Sequence, residues 1–159
     1  MFLNKRKLFF LTSISLIFFF LIYNDVKSFE IKVIDGDTIH LNGQKIRFSG
    51  IDTPELKQTC GIDEKIIFCG IEAKKLLIKK IGNNKVKCIP EGKDQYKRIL
   101  AECFVNNESL SSFLVKQGYG FAYRKYSKKF IKDEEYAKIN KLGMWSMKFE
   151  YPWDYRKKN

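Results

Sequence analysis

Histidine is nearly missing from this chain: His40 is the only one, and no two of the four cysteines stand in a CxxC spacing. Both absences weigh against a zinc site, which draws on closely spaced thiolates and imidazoles. Proline is scarce, no tract is of low complexity, and neither an internal repeat nor an interdomain linker is found. A chain that is 45% hydrophobic and 15% aromatic has a globular composition. Its 159 residues amount to one domain with something added at the N-terminus. Acidic residues are the minority charge, 18 against 30 Lys and Arg, for a formal net charge of +12. That excess suits a polyanionic partner, since phosphates attract Lys and Arg at long range and binding releases counterions. By itself it is weak, because basic proteins that touch no nucleic acid share it.

Only one long apolar run occurs. Lys5, Arg6 and Lys7 precede an uncharged stretch from Leu8 to Tyr23, and Val26-Lys27-Ser28 reads as a cleavage site before Phe29. The run falls short of the ~20 residues of a spanning helix. A removable signal peptide over residues 1–28 and an uncleaved anchor through residues 8–23 both fit. Either way the basic N-terminus stays in the cytoplasm and residues 29–159 cross the membrane, to be periplasmic, secreted or membrane-anchored. The leader holds four cations and one acid, so +3 of the +12 belongs to it and the exported domain keeps +9. Four cysteines in an exported domain suit an oxidising compartment. Zinc is the competing reading; of the three possible pairings, Cys60–Cys69 and Cys88–Cys103 are favoured.

Phe29, Ile31 and Val33 alternate with polar neighbours as a half-buried strand. Asp35-Gly36 is a hairpin dipeptide, Asp37 to Leu41 a second strand, Asn42-Gly43 a second hairpin dipeptide, and Lys45 to Ile51 a third strand. A loop with Asp52, Thr53, Pro54 and Glu55 leads to the Cys60–Cys69 excursion. Helical spacing of Ala73, Leu76, Leu77 and Ile81 predicts a helix over 71–81, closed by Gly82. Val86 to Ile89 and Ile99 to Val105 are two more strands around a polar loop of Glu91 to Arg98, and Cys88 and Cys103 sit on them within reach of each other. Further helices are expected from Leu110, Phe113 and Leu114 up to Gly118, and around Lys132 to Lys141. The fold class is α+β with a mainly β core, a five-stranded Greek-key barrel of the OB type with about three helices.

Asp35, Asp37, Asp52 and Glu55 gather at strand ends and in one loop, with Arg47 among them. Grouped carboxylates call for a cation, and oxygen donors suit a hard ion such as calcium. An arginine beside them can grip a phosphate through two parallel hydrogen bonds. Each piece also has a plain reading: a turn, a capped loop, a solvated strand residue. The odd spacing of Arg47 and Asp52 would put them on opposite faces of a regular strand. A bulge or strand end near Ser49-Gly50 is therefore needed to rotate one of them.

Val33-Ile34-Asp35-Gly36-Asp37-Thr38, then Arg47, then Asp52-Thr53-Pro54-Glu55 closely resemble the motifs of the staphylococcal nuclease (thermonuclease) family. Asp94-Gln95-Tyr96-Lys97-Arg98 resembles its second arginine motif, and Leu142-Gly143-Met144-Trp145-Ser146 its C-terminal tryptophan motif. The resemblance covers about residues 29–146. It implies a calcium-dependent endonuclease that cleaves DNA or RNA, as a monomer, at the 5′ P–O bond to leave 3′-phosphate ends. It implies calcium held by Asp37 and Asp52 with the Thr53 carbonyl, Glu55 as general base, and Arg47 and Arg98 on the scissile phosphate. Tyr96 and Tyr123 match positions near a bound nucleotide, with core packing as their plain reading. Lys97 departs from the pattern, standing where a glycine is usual. If that position has positive φ, Lys97 is strained and Arg98 is aimed differently. The alternative to an enzyme is a non-catalytic nucleic-acid-binding module on the same barrel.

Overall fold

A computed structural model describes residues 30–62 and 64–159; the leader expected over residues 1–28, as signal peptide or as anchor through residues 8–23, lies outside them. The chain opens with a meander of β1 (Ile31–Val33), β2 (Thr38–Leu41) and β3 (Gln44–Phe48). Asn42 and Gly43 make the second turn at φ 50° and 79°, the left-handed pair that a two-residue hairpin requires. The third strand ends sooner than its apolar alternation suggests. The chain turns at Ser49 and Gly50, with Gly50 at φ 74°, and resumes as β4 (Ile51–Asp52). A hairpin of β5 (Thr59–Ile62) and β6 (Lys65–Phe68) fills the Cys60–Cys69 excursion. Helix α1 (Cys69–Ile81) follows, then β7 (Lys87–Lys93), β8 (Ile99–Val105), β9 (Glu108–Ser109) and α2 (Leu110–Lys116). Strand β10 (Phe121–Ala122), α3 (Ile131–Ile139), a 3₁₀ turn (Gly143–Ser146) and α4 (Pro152–Lys158) complete the order.

The main sheet runs β1-β2-β3-β8-β7, with β9 on β8. These five path strands are those of the expected OB-type barrel. β3 joins β8 in parallel, pairing Arg47 with Leu100, while β7 and β8 are antiparallel with Cys88 opposite Cys103. Both favoured disulfides, Cys60–Cys69 and Cys88–Cys103, are formed. Strand β7 continues through Lys93, into the stretch expected to be loop, because β8 supplies ladder partners as far as Ile99. Among the described residues there are four α-helices, against the about three expected. α4 is the addition, with Pro152 in its first turn, where proline's missing N–H costs no helical bond.

Side-chain alternation follows burial. Ile46 and Phe48 of β3 point inward with Ile39, Leu77, Ala101 and Leu114, each large one contributing roughly 1.5–3 kcal/mol by leaving water. A second, aromatic cluster joins the Cys60–Cys69 bridge to the C-terminus. Phe121 lies at its centre, with Trp145, Phe149, Tyr151 and Trp153 around it. Among the described residues no helix is long and apolar enough to cross a membrane.

Candidate functional site

Three local devices bring the acidic residues together. The loop before β2 curls back so that the Ile34 and Asp35 N–H groups donate to the Thr38 carbonyl at 2.9 and 3.3 Å. This leaves Asp37 buried at the strand's start. A Cβ on Gly36 would stand 2.7 Å from Thr53 Oγ1, so glycine lets this loop approach the Asp52–Thr53 segment. The β2–β3 ladder then pairs Thr38 with Arg47. Finally, the break at Ser49-Gly50 resets the strand phase, and pairing of Asp52 with Phe121 on β10 holds the new direction. Arg47 and Asp52 thereby face each other despite their odd spacing.

One guanidinium lies between two acids. Arg47 Nη1 donates to Asp37 Oδ1 at 2.5 Å and Nη2 to Asp52 Oδ1 at 2.7 Å. Asp37 also accepts from Thr38 Oγ1 at 3.1 Å and from the Thr53 N–H at 3.0 Å. Burial pushes the Asp37 carboxyl up to about 7, with the Asp35 and Asp52 charges adding and Arg47 and Thr53 opposing. Arg47 is raised as well: its burial opposes that, but the charges of Asp37 and Asp52 outweigh it. The two directions pull against each other, since a raised Arg47 favours an ionised Asp37. The upward direction for Asp37 stands, because Asp52 shares its one close guanidinium and Asp37 is almost wholly buried.

Glu55 lies beside these groups at 44% exposure. Its N–H donates to Gln58 Oε1 at 3.2 Å, and the buried Gln58 donates in turn through Nε2 to the Glu150 carbonyl at 2.6 Å. Gly70, at the start of α1, admits this loop: a Cβ there would meet the Glu55 carbonyl oxygen at 2.0 Å.

Arg98 stands apart from this group. Its Nε donates to Asp94 Oδ2 at 2.6 Å, and the N–H groups of Tyr96 and Arg98 both donate to Asp94 Oδ1 at 2.9 Å. Burial slightly opposes the ionised Asp94, but the Arg98 and Tyr96 hydrogen bonds hold its carboxyl below the ordinary range. Lys97 has φ 63°, the left-handed conformation expected of a residue in a glycine's place. Arg98 nevertheless shares Arg47's face, since Leu100 pairs with Arg47 and Arg98 lies two positions earlier. It lines a basic cleft with Lys45, Lys93, Lys97 and the exposed Tyr96. Tyr123 adjoins the turn through its N–H bond to the Gly50 carbonyl at 3.0 Å, and its ring stacks on Trp153 at 5.6 Å.

The residue that sequence reading missed is Arg156. From α4 it donates through Nη2 to Asp52 Oδ2 at 2.6 Å and through Nη1 to Glu55 Oε1 at 2.8 Å, with a longer bond to Asp52 Oδ1 at 3.2 Å. Pro152 followed by a basic last turn was the available signal for the helix; nothing local pointed Arg156 at Asp52 and Glu55, 104 and 101 positions away.

Among the described residues no three acidic, histidine or cysteine side chains are close enough to form a metal cluster by themselves. The donors at hand are nonetheless hard oxygens, two of them on buried carboxylates that lean on arginines for neutrality. That set fits a hard cation better than a soft one.

Fold and site together define a small OB-type barrel bearing a buried carboxylate–arginine centre at the junction of its β2–β3 and β4–β10 pairs. The chain belongs to the staphylococcal nuclease homologue family, whose model matches residues 45–147. It is 30% identical over 136 residues to a probable staphylococcal-like nuclease of Oryza sativa subsp. japonica, covering 84% of this chain and 34% of the rice protein. An uncharacterized endonuclease of Haemophilus influenzae is 30% identical over 123 residues, 73% of this chain and 64% of that one. Endonuclease YncB of Bacillus subtilis is 33% identical over 128 residues, 72% and 59% respectively. The chain thus spans a third to under two thirds of these relatives. Asp37 and Arg156 both lie outside the span of the family model.

Proposed function

We propose that this protein is a calcium-dependent endonuclease that hydrolyses phosphodiester bonds of DNA or RNA at the 5′ P–O bond, leaving 3′-phosphate ends. The observation that carries the proposal is Arg47 held between buried Asp37 and Asp52, with the exposed carboxylate of Glu55 alongside. Asp37 and Asp52, with the Thr53 carbonyl, would hold the ion, which supplies positive charge beside a phosphate oxygen when bound. Glu55 takes a proton from the attacking water, whose oxygen bonds to phosphorus as the bond to the 5′ oxygen breaks; that oxygen leaves with the bonding pair and takes a proton from solvent. Arg47 and Arg98 donate to the non-bridging oxygens as their charge grows, the kind of fixed donor worth roughly 3 kcal/mol. The Arg98 side chain holds Asp94 through Nε alone, which leaves its Nη groups to a phosphate. Tyr96 and Tyr123 offer ring faces to bases without reading their identity. Export into an oxidising compartment, through the leader, suits the two disulfides.

The pairing of Arg98 with Asp94 favours a second reading, a barrel that binds nucleic acid without cutting it. The two readings separate in one assay. The purified domain should degrade single-stranded DNA with calcium and stop on addition of a chelator. Glu55→Gln should lower kcat by about 10²–10⁴, and Arg98→Ala by about 10²–10³, with the circular dichroism of the fold unchanged. Calcium-independent binding without cleavage would select the second reading.

A further inference from the structure

The C-terminal segment is built to deliver Arg156. The Lys148 N–H donates to the Gly61 carbonyl at 2.8 Å, and the Gly61 N–H donates back to Lys148 at 3.1 Å, stitching the chain to the disulfide-closed hairpin. Gln58 holds the Glu150 carbonyl one step further on. Pro152 is buried, and Trp153 is sandwiched by Tyr151 at 4.7 Å and Tyr123 at 5.6 Å. With the helix start held at these points, Arg156, one turn beyond Trp153, reaches Asp52 and Glu55 together. Its neighbours go elsewhere: Lys157 pairs with Asp154 and Lys158 with Glu150.

A guanidinium gripping both oxygens of one carboxylate and an oxygen of a second occupies a cation's position. Asp52 is wholly buried, so its charge needs a partner at all times. Arg156 itself is 38% exposed and has a free path to solvent. A divalent ion and this guanidinium on the same carboxylates would repel each other strongly in so poorly solvated a place.

We propose that Arg156 is the resident counter-cation of the site, competing with the divalent ion for Asp52 and Glu55 and neutralising them when the ion is away. The inference rests on the reading that Asp52 helps to hold calcium, and it gives two opposite effects for one substitution. In Arg156→Ala the ion-free protein becomes less stable, because Asp52 loses a partner. Calcium then binds more tightly, by about tenfold, because its competitor has gone. A residue that only props up the fold would lower both.

Calorimetric titration of calcium into the full-length chain, with urea denaturation in chelator, reads both effects. Arg156→Ala should show a lower denaturation midpoint and a smaller calcium Kd. Arg156→Lys, which keeps a charge on a shorter, less directional group, should fall between it and wild type. Lys157→Ala, on the same helix but paired outside the site, should match wild type in Kd. Calcium binding to wild type with an equal or weaker affinity in Arg156→Ala overturns this inference alone. Failure of every chain to bind calcium overturns the calcium reading and this inference with it.

Discussion

A carboxyl raised by burial responds to pH in the opposite sense from one held down by an ion pair. Asp37 is raised to about 7, so the folded state binds its proton more tightly than the unfolded chain does. Its stabilising contribution is therefore fully present below the unfolded value near 4 and is lost as the pH climbs to about 7. With chelator present, denaturation midpoints should fall between pH 4.5 and 7.5 more steeply in wild type than in Asp37→Asn. Equal slopes would place the titration elsewhere. At Lys97 the relevant quantity is strain. A non-glycine residue at φ 63° carries a cost of order 1 kcal/mol, so Lys97→Gly should stabilise the fold by about 0.5–1 kcal/mol in urea denaturation. The motif comparison pointed to this strain before any geometry did, because a glycine missing from a left-handed position shows in the sequence itself. The tilt of Arg98 toward Asp94 does not show there, since it depends on how the turn closes.

Among the elements, the disulfide-bearing pair of β7 and β8 was legible because two short strands around a polar loop have one simple way to pair. Cys88 and Cys103 then fall opposite each other. Their bridge closes a loop of 15 residues, for which chain entropy gives about 3 kcal/mol. Replacing both with alanine should lower the unfolding free energy by about 2–4 kcal/mol while the β7–β8 amides stay protected in hydrogen exchange. The third strand was less legible. Apolar residues continue through Ile51, so periodicity alone carries across Ser49-Gly50; the odd spacing of Arg47 and Asp52 called for a break there, and pairing of β4 with β10 shows where the chain goes after it. The hairpin inside the Cys60–Cys69 excursion was not read although β5 and β6 pair locally, and where α4 docks was out of reach, because Arg156 takes its partners from a distant segment.

For the whole molecule, charge governs how a substrate is met. Residues 29–159 keep most of the basic excess, and Lys45, Lys93, Lys97 and Arg98 line one cleft. Binding of single-stranded DNA should weaken by about tenfold or more between ~50 and ~200 mM salt if three or four phosphates are neutralised. A flat salt response in fluorescence anisotropy would remove this cleft from the path of the strand. The sequence by itself determined the five strands of the barrel's main path and the acids and arginines to watch, and it favoured the cysteine pairs, since alternation, turn dipeptides and motif spacing are properties of near neighbours; the parallel junction of β3 with β8 it did not show. Tertiary structure alone decided that Arg47 would sit between Asp37 and Asp52, that Arg98 would rest on Asp94, and that Arg156 would close over Asp52 and Glu55. Those are choices among charged partners brought together by the closing of the chain, and burial, which sets their strength, does not exist until the chain has closed.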